Sequence, residues 1–441
     1  MRVMRSALLM CLGLLSQVAQ AALPIEHWRL PNGVAVYLVH SPAVPMVDVQ
    51  LDFDAGSRRD PADQAGLAAV MAGMTAKGVR ATANEPALDE NGLGEAWADL
   101  GAVFAAGASQ DRLSFTLRSL TYPDLLSRTV ALAARQLAEP AFPEPVWVRE
   151  RARLTAALRE ANTRPATVAA RAFNQAVYGA HPYGYEMTEA TLARIGVADL
   201  QALHARAVRA CNVRVSLVGA VTRTQAQTLV TQLLARLPEG GCAPLPVVGE
   251  VAALAQPVQQ RIPFDSAQAH VLIGQPGFAR RDPDFWALTV GNYILGGGGF
   301  VSRLTTQVRE KRGLSYSVYS YFAPGLHAGA FTVGLQTRPD QAGQAVQVAR
   351  EVVREFVANG PSEAELQAAK DNLIGGFALR IDSNRKLLDN VANIAWHGLP
   401  LDYLDTWTQQ VARVSVADVR AAFARKLPPE RMVTVVVGGS P

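Results

Sequence analysis

Val197-Ala-Asp-Leu-Gln-Ala-Leu-His-Ala-Arg206 returns as Val416-Ala-Asp-Val-Arg-Ala-Ala-Phe-Ala-Arg425, and the β-branched runs that follow end in Gly219 and Gly438. Both pairs lie 219 positions apart (197 to 416, 219 to 438). One offset shared without gaps marks an internal duplication rather than a chance echo. The openings of the halves rhyme too, Ala55-Gly-Ser-Arg-Arg-Asp-Pro61 with Gly277-Phe-Ala-Arg-Arg-Asp-Pro283. A chain of 441 residues is therefore expected to form two homologous lobes of roughly 200 residues each, near the size at which a single core stops growing.

The order of elements can be read within each half. In the first, residues 34–38, 46–53 and 113–120 have the alternation and β-branched content of strands, and residues 62–76, 123–137, 147–162 and 198–208 have helical periodicity. In the second, strands are expected at 269–273, 315–322 and 329–335, and helices at 284–295, 341–359 and 362–381. Ser362 and Glu365 have the spacing of a capping box at the start of the last helix. Blocks of strands and helices without strict β-α-β alternation predict the α+β class, each lobe an α/β sandwich. Residues 240–260, with Pro244, Pro246 and Pro257 among small residues, read as the linker. The expected division is a signal peptide at 1–21, an N-terminal lobe at 22–239 and a C-terminal lobe at 261–441.

The leader has a basic start at Arg2 and Arg5, an apolar run at 7–15 and the cleavage pattern Ala19-Gln20-Ala21. It predicts export to the periplasm, and no other stretch approaches the roughly twenty apolar residues of an integral membrane span. The net charge of +4 includes the two leader arginines. With no basic run carrying interleaved aromatics, the chain lacks the footprint of a nucleic-acid partner. Cys211 opens an expected strand, a helix-like segment follows at 222–237, and Cys242 comes just after it. If that helix packs back antiparallel on the strand, the two cysteines meet. An oxidising compartment would then allow a disulfide, the alternative being two separate thiols.

Gly66-Leu-Ala-Ala-Val-Met-Ala-Gly-Met-Thr-Ala-Lys-Gly78 resembles the metal-binding helix of the pitrilysin/insulinase family of zinc peptidases, the inverted zincins. There the pattern reads G-L-A-H-x-x-E-H-M-x-x-K-G, the histidines holding zinc and the glutamate activating water. Ala69 and Gly73 stand at the histidine positions and Ala72 at the position of the general base. The family takes a third ligand from a later helix in a context like E-R-x-x-V-x-x-E. Set against it, Glu150 matches the upstream acid, the ligand position falls on Ala157, and Glu160 belongs to a solvated face. A tetrahedral site needs three protein ligands, and the aligned positions supply none. The seven histidines are scattered, with no pair at helical i,i+3 or i,i+4 spacing, and His181-Pro182-Tyr183-Gly184 reads as a structural turn.

The second half keeps a different motif. Leu295-Gly-Gly-Gly-Gly-Phe300, Val301-Ser-Arg-Leu304 and Val308-Arg-Glu-Lys-Arg-Gly-Leu-Ser-Tyr-Ser-Val-Tyr-Ser320 resemble the family signature L-G-G-G-x-S-S-R-L…R-E-K-x-G-L-x-Y-x-V-x-S. In the family, the arginine and tyrosine at the positions of Arg309 and Tyr316 reach the substrate backbone near the scissile bond. A guanidinium and a phenol can both donate to a peptide carbonyl or to the oxyanion formed from it.

The resemblance covers the whole expected mature chain and implies half of a clamshell around a peptide-sized chamber, since short-chain members build one active unit from two chains. The function it implies is that of a non-catalytic subunit of an exported heterodimeric zinc peptidase. This chain would hold no cofactor, the zinc being carried by a homologous partner bearing H-x-x-E-H, and Arg309 and Tyr316 would bind the peptide substrate. The competing expectation is a peptide-binding or scaffold protein of the cell envelope without a catalytic partner.

Overall fold

A computed structural model of the chain describes residues 24–238 and 244–439. The expected signal peptide, the first residues of the expected linker and Cys242 lie outside the described residues. The first lobe contributes β1 (Glu26–Arg29), β2 (Ala35–His40), β3 (Met46–Phe53), a short pair β4 (Gly78–Val79) and β5 (Leu88–Asp89), then β6 (Val103–Ala108), β7 (Leu113–Leu120) and β8 (Val213–Gly219). Six of these form one sheet in the order β1-β2-β8-β3-β7-β6, with β4 and β5 paired apart. Only β2 and β8 run parallel within that sheet. The period of two explains its faces: Val47, Val49, Leu51 and Phe53 of β3 enter the first-lobe core, so Asp48, Gln50 and Asp52 point to the opposite face.

The second lobe repeats this wiring. Its strands β9 (Val258–Ile262), β10 (Ala269–Phe278), β11 (Val318–Phe322), β12 (Gly329–Thr337) and β13 (Val433–Val437) lie in the order β11-β12-β10-β13-β9. The single parallel pair is β13 with β9, so the strands map in turn onto β6, β7, β3, β8 and β2. Gly219 and Gly438, the closing residues of the repeat, have φ of 149° and 138°. A Cβ on either would strike the backbone of the neighbouring strand, at Met46–Val47 and at Gln268–Ala269.

One pair of helices ties the lobes together. Pro165–Tyr178 and Asn384–His397 are again 219 positions apart at both ends (165 to 384, 178 to 397). Each covers the sheet of the other lobe. Ala169, Phe173, Val177 and Tyr178 form one apolar cluster with Ala330, Val433, Val435 and Val437. Leu387, Leu388, Val391 and Ile394 do the same with Val39 and Val218. A polar knot reinforces the exchange, with Asp111 accepting from Arg58 Nε at 3.0 Å, Tyr183 Oη at 2.7 Å and the backbone N–H of Leu326 at 2.9 Å.

The α+β class and the two homologous lobes stand as expected, with several element limits moved. The helix expected at 62–76 is two pieces, a 3₁₀ turn at Ala62–Gln64 and an α-helix at Leu67–Met74. Gly66 between them has φ 103° and breaks the continuity. The helix expected at 284–295 ends at Asn292 and passes into a π-turn, and that at 362–381 ends at Gly375 before a 3₁₀ turn. Strand β10 runs five residues past Ile273, whereas β11 begins at Val318 rather than 315. Residues 258–260, read as linker, already belong to β9. The capping box of Ser362 and Glu365 forms as expected. Among the described residues, no helix is long and apolar enough to cross a membrane.

Candidate functional site

The helix Leu67–Met74 is started by Asp60, whose carboxylate accepts from the N–H groups of Gly66 (2.9 Å) and Ala68 (3.0 Å). Burial pushes the Asp60 carboxyl up to about 6, against the pull of these backbone donors. Ala69 and Gly73, one helical turn apart, line a cavity of about 270 Å³ together with Lys77 and, from the helix Glu144–Ala161, Trp147, Glu150, Arg153 and Leu154. A Cβ on Gly73 would meet nothing within 4 Å, so the histidine position opens into empty space. Ala72, at the position of the general base, is buried in the first-lobe core and does not line the cavity.

The acidic helix presents a different residue from the one expected. Helical spacing brings Trp147, Glu150 and Leu154 to the cavity, whereas Ala157 lies two turns beyond Glu150, exposed and outside the wall. Glu160 is also exposed and pairs with Arg164. One carboxylate therefore faces the emptied positions after all. Glu150 is enclosed by cations, with Arg153 at 2.8 Å, Arg149 at 3.1 Å and Lys77 at 3.4 Å. Burial would raise its carboxyl, but these three neighbours outweigh burial and hold it below the ordinary carboxylate value. A zinc ion does not fit this wall. It offers one carboxylate where three protein ligands are needed, and that carboxylate is already paired with Lys77, Arg149 and Arg153. Among the described residues no group of three His, Cys, Asp or Glu side chains could hold a metal ion.

The glycine-rich turn of the second lobe is a packing device. A Cβ on Gly296 would lie 2.4 Å from Ser320 Oγ and 2.6 Å from Ser320 N, so the backbone of the π-turn rests directly on β11. Ser320 is held there by a pair of hydrogen bonds with Asn292. Beyond the turn, the side chains of Arg309 and Tyr316 come together. The Arg309 guanidinium lies over the Tyr316 ring at 4.9 Å and over the Phe300 ring at 4.7 Å. Tyr316 is 84% exposed and Phe300 69%. Among the described residues Arg309 has no carboxylate partner, whereas Arg312 folds back on Gln307. Phe300 is the member of this group that the sequence reading missed, and its signal was its place directly after the four glycines. Neither Arg309 nor Tyr316 lines the first-lobe cavity.

The histidines serve the architecture. His40, His181 and His204 each bond a backbone carbonyl, of Val221, Gly249 and Leu137. His181 caps the short turn at Pro182–Gly184 by accepting from the Tyr183 N–H. It also meets the His327 ring across the lobe junction at 5.3 Å, a pairing only the tertiary fold makes visible. Cys211 is engaged in a disulfide, while its expected partner Cys242 lies outside the described residues.

Residues 35–191 match the family described as insulinase (peptidase family M16), and residues 194–373 match the peptidase M16 inactive domain. The chain is similar to an uncharacterized zinc protease of Streptomyces coelicolor, 31% identical over 256 residues that cover 58% of this chain and 51%, about half, of that one. A non-peptidase homolog from Helicobacter pylori is 26% identical over 85% of both chains. The crystal structure of a peptidase M16 inactive domain from Pseudomonas fluorescens superposes with a TM-score of 0.88 at 32% identity, over 95% of this chain and 98% of the other.

Proposed function

This chain belongs to the insulinase family of M16 peptidases, and from that premise we propose that it is the non-catalytic subunit of an exported heterodimeric zinc peptidase. Its partner in this reading is a homologous chain with an intact H-x-x-E-H. The observation that carries the proposal is a contrast between the two lobes. The positions for ligands and base in the first lobe are Ala69, Ala72 and Gly73, with cations packed around the one carboxylate. In the second lobe, Arg309, with no carboxylate partner among the described residues, stands between two exposed aromatic rings.

Such a group suits a substrate backbone held against another chain's metal. Stacking on Phe300 and Tyr316 orients the Arg309 guanidinium without neutralising it, which keeps its N–H donors free for a peptide carbonyl. The Tyr316 hydroxyl supplies a second donor. Attack of water on that carbonyl would place negative charge on its oxygen, and the Arg309 and Tyr316 donors would act most strongly at that stage, with the partner's zinc supplying the polarisation. Removing one such donor typically costs about 100- to 1,000-fold in rate.

The purified chain is expected to contain no zinc and to cleave no peptide. Co-expression with the partner should yield a stoichiometric complex whose hydrolysis is abolished by chelators. Within that complex, Arg309→Ala combined with Tyr316→Phe should lower kcat by at least about 100-fold while leaving assembly intact. An unchanged rate would remove the shared-site reading, and a chain that recovers only self-associated from its native envelope fraction would favour the scaffold alternative.

A further inference from the structure

The duplicated motif Ala55–Pro61 and Gly277–Pro283 places Arg58 and Arg280 at equivalent points of the two lobes. Their surroundings differ in one respect that bears on ligands. Arg58 is buried and neutralised by two carboxylates, Asp54 at 2.5 Å and Asp111 at 3.0 Å. Arg280 is partly buried and, among the described residues, has no carboxylate partner. Its Nη2 donates to Tyr403 Oη at 2.6 Å, and its guanidinium lies 3.7 Å from the centre of the Phe285 ring and 5.1 Å from that of Tyr403. The acids nearest in sequence are already taken, Asp282 by Lys426 and Asp284 by Arg425.

Arg280 opens on a cavity of about 360 Å³, lying between the second lobe and the exchanged helix Asn384–His397, with no acidic residue in its wall among the described residues. This is within the range of ligand-sized pockets, roughly 300–1,000 Å³. One side of the wall is aromatic, made by Phe278, Phe285 and Phe322. The polar side holds Asn393 and His397. The Asn393 carbonyl oxygen accepts from Arg112 at 2.9 Å, which leaves its amide nitrogen as a donor. His397 is 8% exposed and its Nδ1 has no hydrogen-bond partner among the described residues. Burial, with Arg280, Arg112 and Arg281 adding to it, holds this imidazole low, at about 4, so it is neutral at neutral pH. Arg280, Arg112 and Arg281 add a positive field to that burial, opposed in part by the Asp111 carboxylate.

We propose that this cavity is a carboxylate-binding site that takes the C-terminal carboxylate of a peptide whose last side chain is apolar. A partly desolvated guanidinium is left with unused donors in a fork that matches a carboxylate, and a fixed aromatic wall stands beside it for the adjoining side chain. The missing counter-ion of Arg280 is then supplied by the ligand, in the place where the first lobe uses Asp54 and Asp111. The inference does not depend on a metal-bearing partner, because every residue in it belongs to this chain.

The test is a calorimetric titration of the isolated full chain with an N-acetylated tripeptide ending in phenylalanine, as the free acid and as the C-terminal amide. The free acid should bind at least tenfold more tightly. Arg280→Gln should erase that difference, and Arg280→Lys should retain part of it, with thermal melting of each variant as a check on folding. A third probe, the amide carrying a glutamate before the phenylalanine, separates the sources of the carboxylate. Weaker binding than the free acid supports the terminal group, and equal or tighter binding overturns that assignment. Equal affinity of acid and amide for the unmodified chain, a comparison that needs no variant, would overturn the proposal outright.

Discussion

At the scale of single residues, the emptied positions were legible because a motif is a matter of residue type at fixed spacing, and Ala69, Ala72 and Gly73 can be read without coordinates. What spacing could not decide was which acid of the later helix faces them. The motif match favoured Ala157, but the crossing of two helices is set by packing, and Trp147 and Leu154 bring Glu150 to the wall instead. That difference can be tested by rebuilding the site. Ala69→His with Gly73→His should give a chain that binds zinc stoichiometrically in atomic-emission analysis, because both positions open into the cavity and Glu150 stands opposite. Adding Glu150→Gln should abolish the binding, and adding Ala157→Glu should not strengthen it. Zinc binding that survives loss of Glu150 would return the ligand role to another residue. Changing Lys77 to Met in the two-histidine chain should tighten zinc further, since a cation 3.4 Å from the carboxylate is removed.

At the scale of elements, strands and helices with clean periodicity were read nearly to the residue, as with Leu113–Leu120 and Ala342–Asn359. The two exchanged helices were not read at all. Each is apolar on a face whose target strands lie from about 100 to about 350 residues away in sequence, and no local pattern records that target. Their packing makes a definite claim on stability. Phe173→Ala removes a buried ring from the second lobe's sheet although it lies in the first half of the chain, and should cost about 3 to 5 kcal/mol in urea unfolding. Two buried titrating groups near element ends should act on stability in opposite directions. The Asp60 carboxyl is raised to about 6, so the stability tied to it is present below about pH 4 and lost as pH rises through 6. The His397 imidazole is lowered to about 4, so its contribution is present above about pH 6.5 and lost as pH falls through 4. Each is worth up to about 3 kcal/mol. Melting temperatures between pH 4 and 7 should therefore fall less with rising pH in Asp60→Asn, and fall less with falling pH in His397→Gln. A shift of the same sign in both variants would show that one of the two directions is misassigned.

At the scale of the whole molecule, the duplication visible in the sequence predicts two lobes but says nothing of whether they are separable. The fold answers that by exchanging equivalent helices, so that each lobe's sheet is closed by the other half of the chain. A lobe cut free would expose the face of β8 and β3, or of β13 and β10, together with a helix stripped of its partner sheet. Residues 24–238 and 244–439, expressed separately, are thus expected to be aggregated or unfolded. Expressed together, they should recover as a one-to-one complex, because the helix exchange and the polar contacts that join the lobes among the described residues are non-covalent. The intact chain should unfold in one cooperative transition in which fluorescence and circular dichroism coincide. Two resolved transitions, or a first half that folds alone with native dispersion in its amide NMR spectrum, would show that the exchange decorates the lobes rather than joining them. On the proposed reading the distinction reaches function, since a subunit offering Arg309 and Tyr316 to another chain would have to hold its second lobe at a fixed angle to the first. The interlocked helices, with the Asp111–Arg58–Tyr183 knot between them, are the means by which this chain can do so.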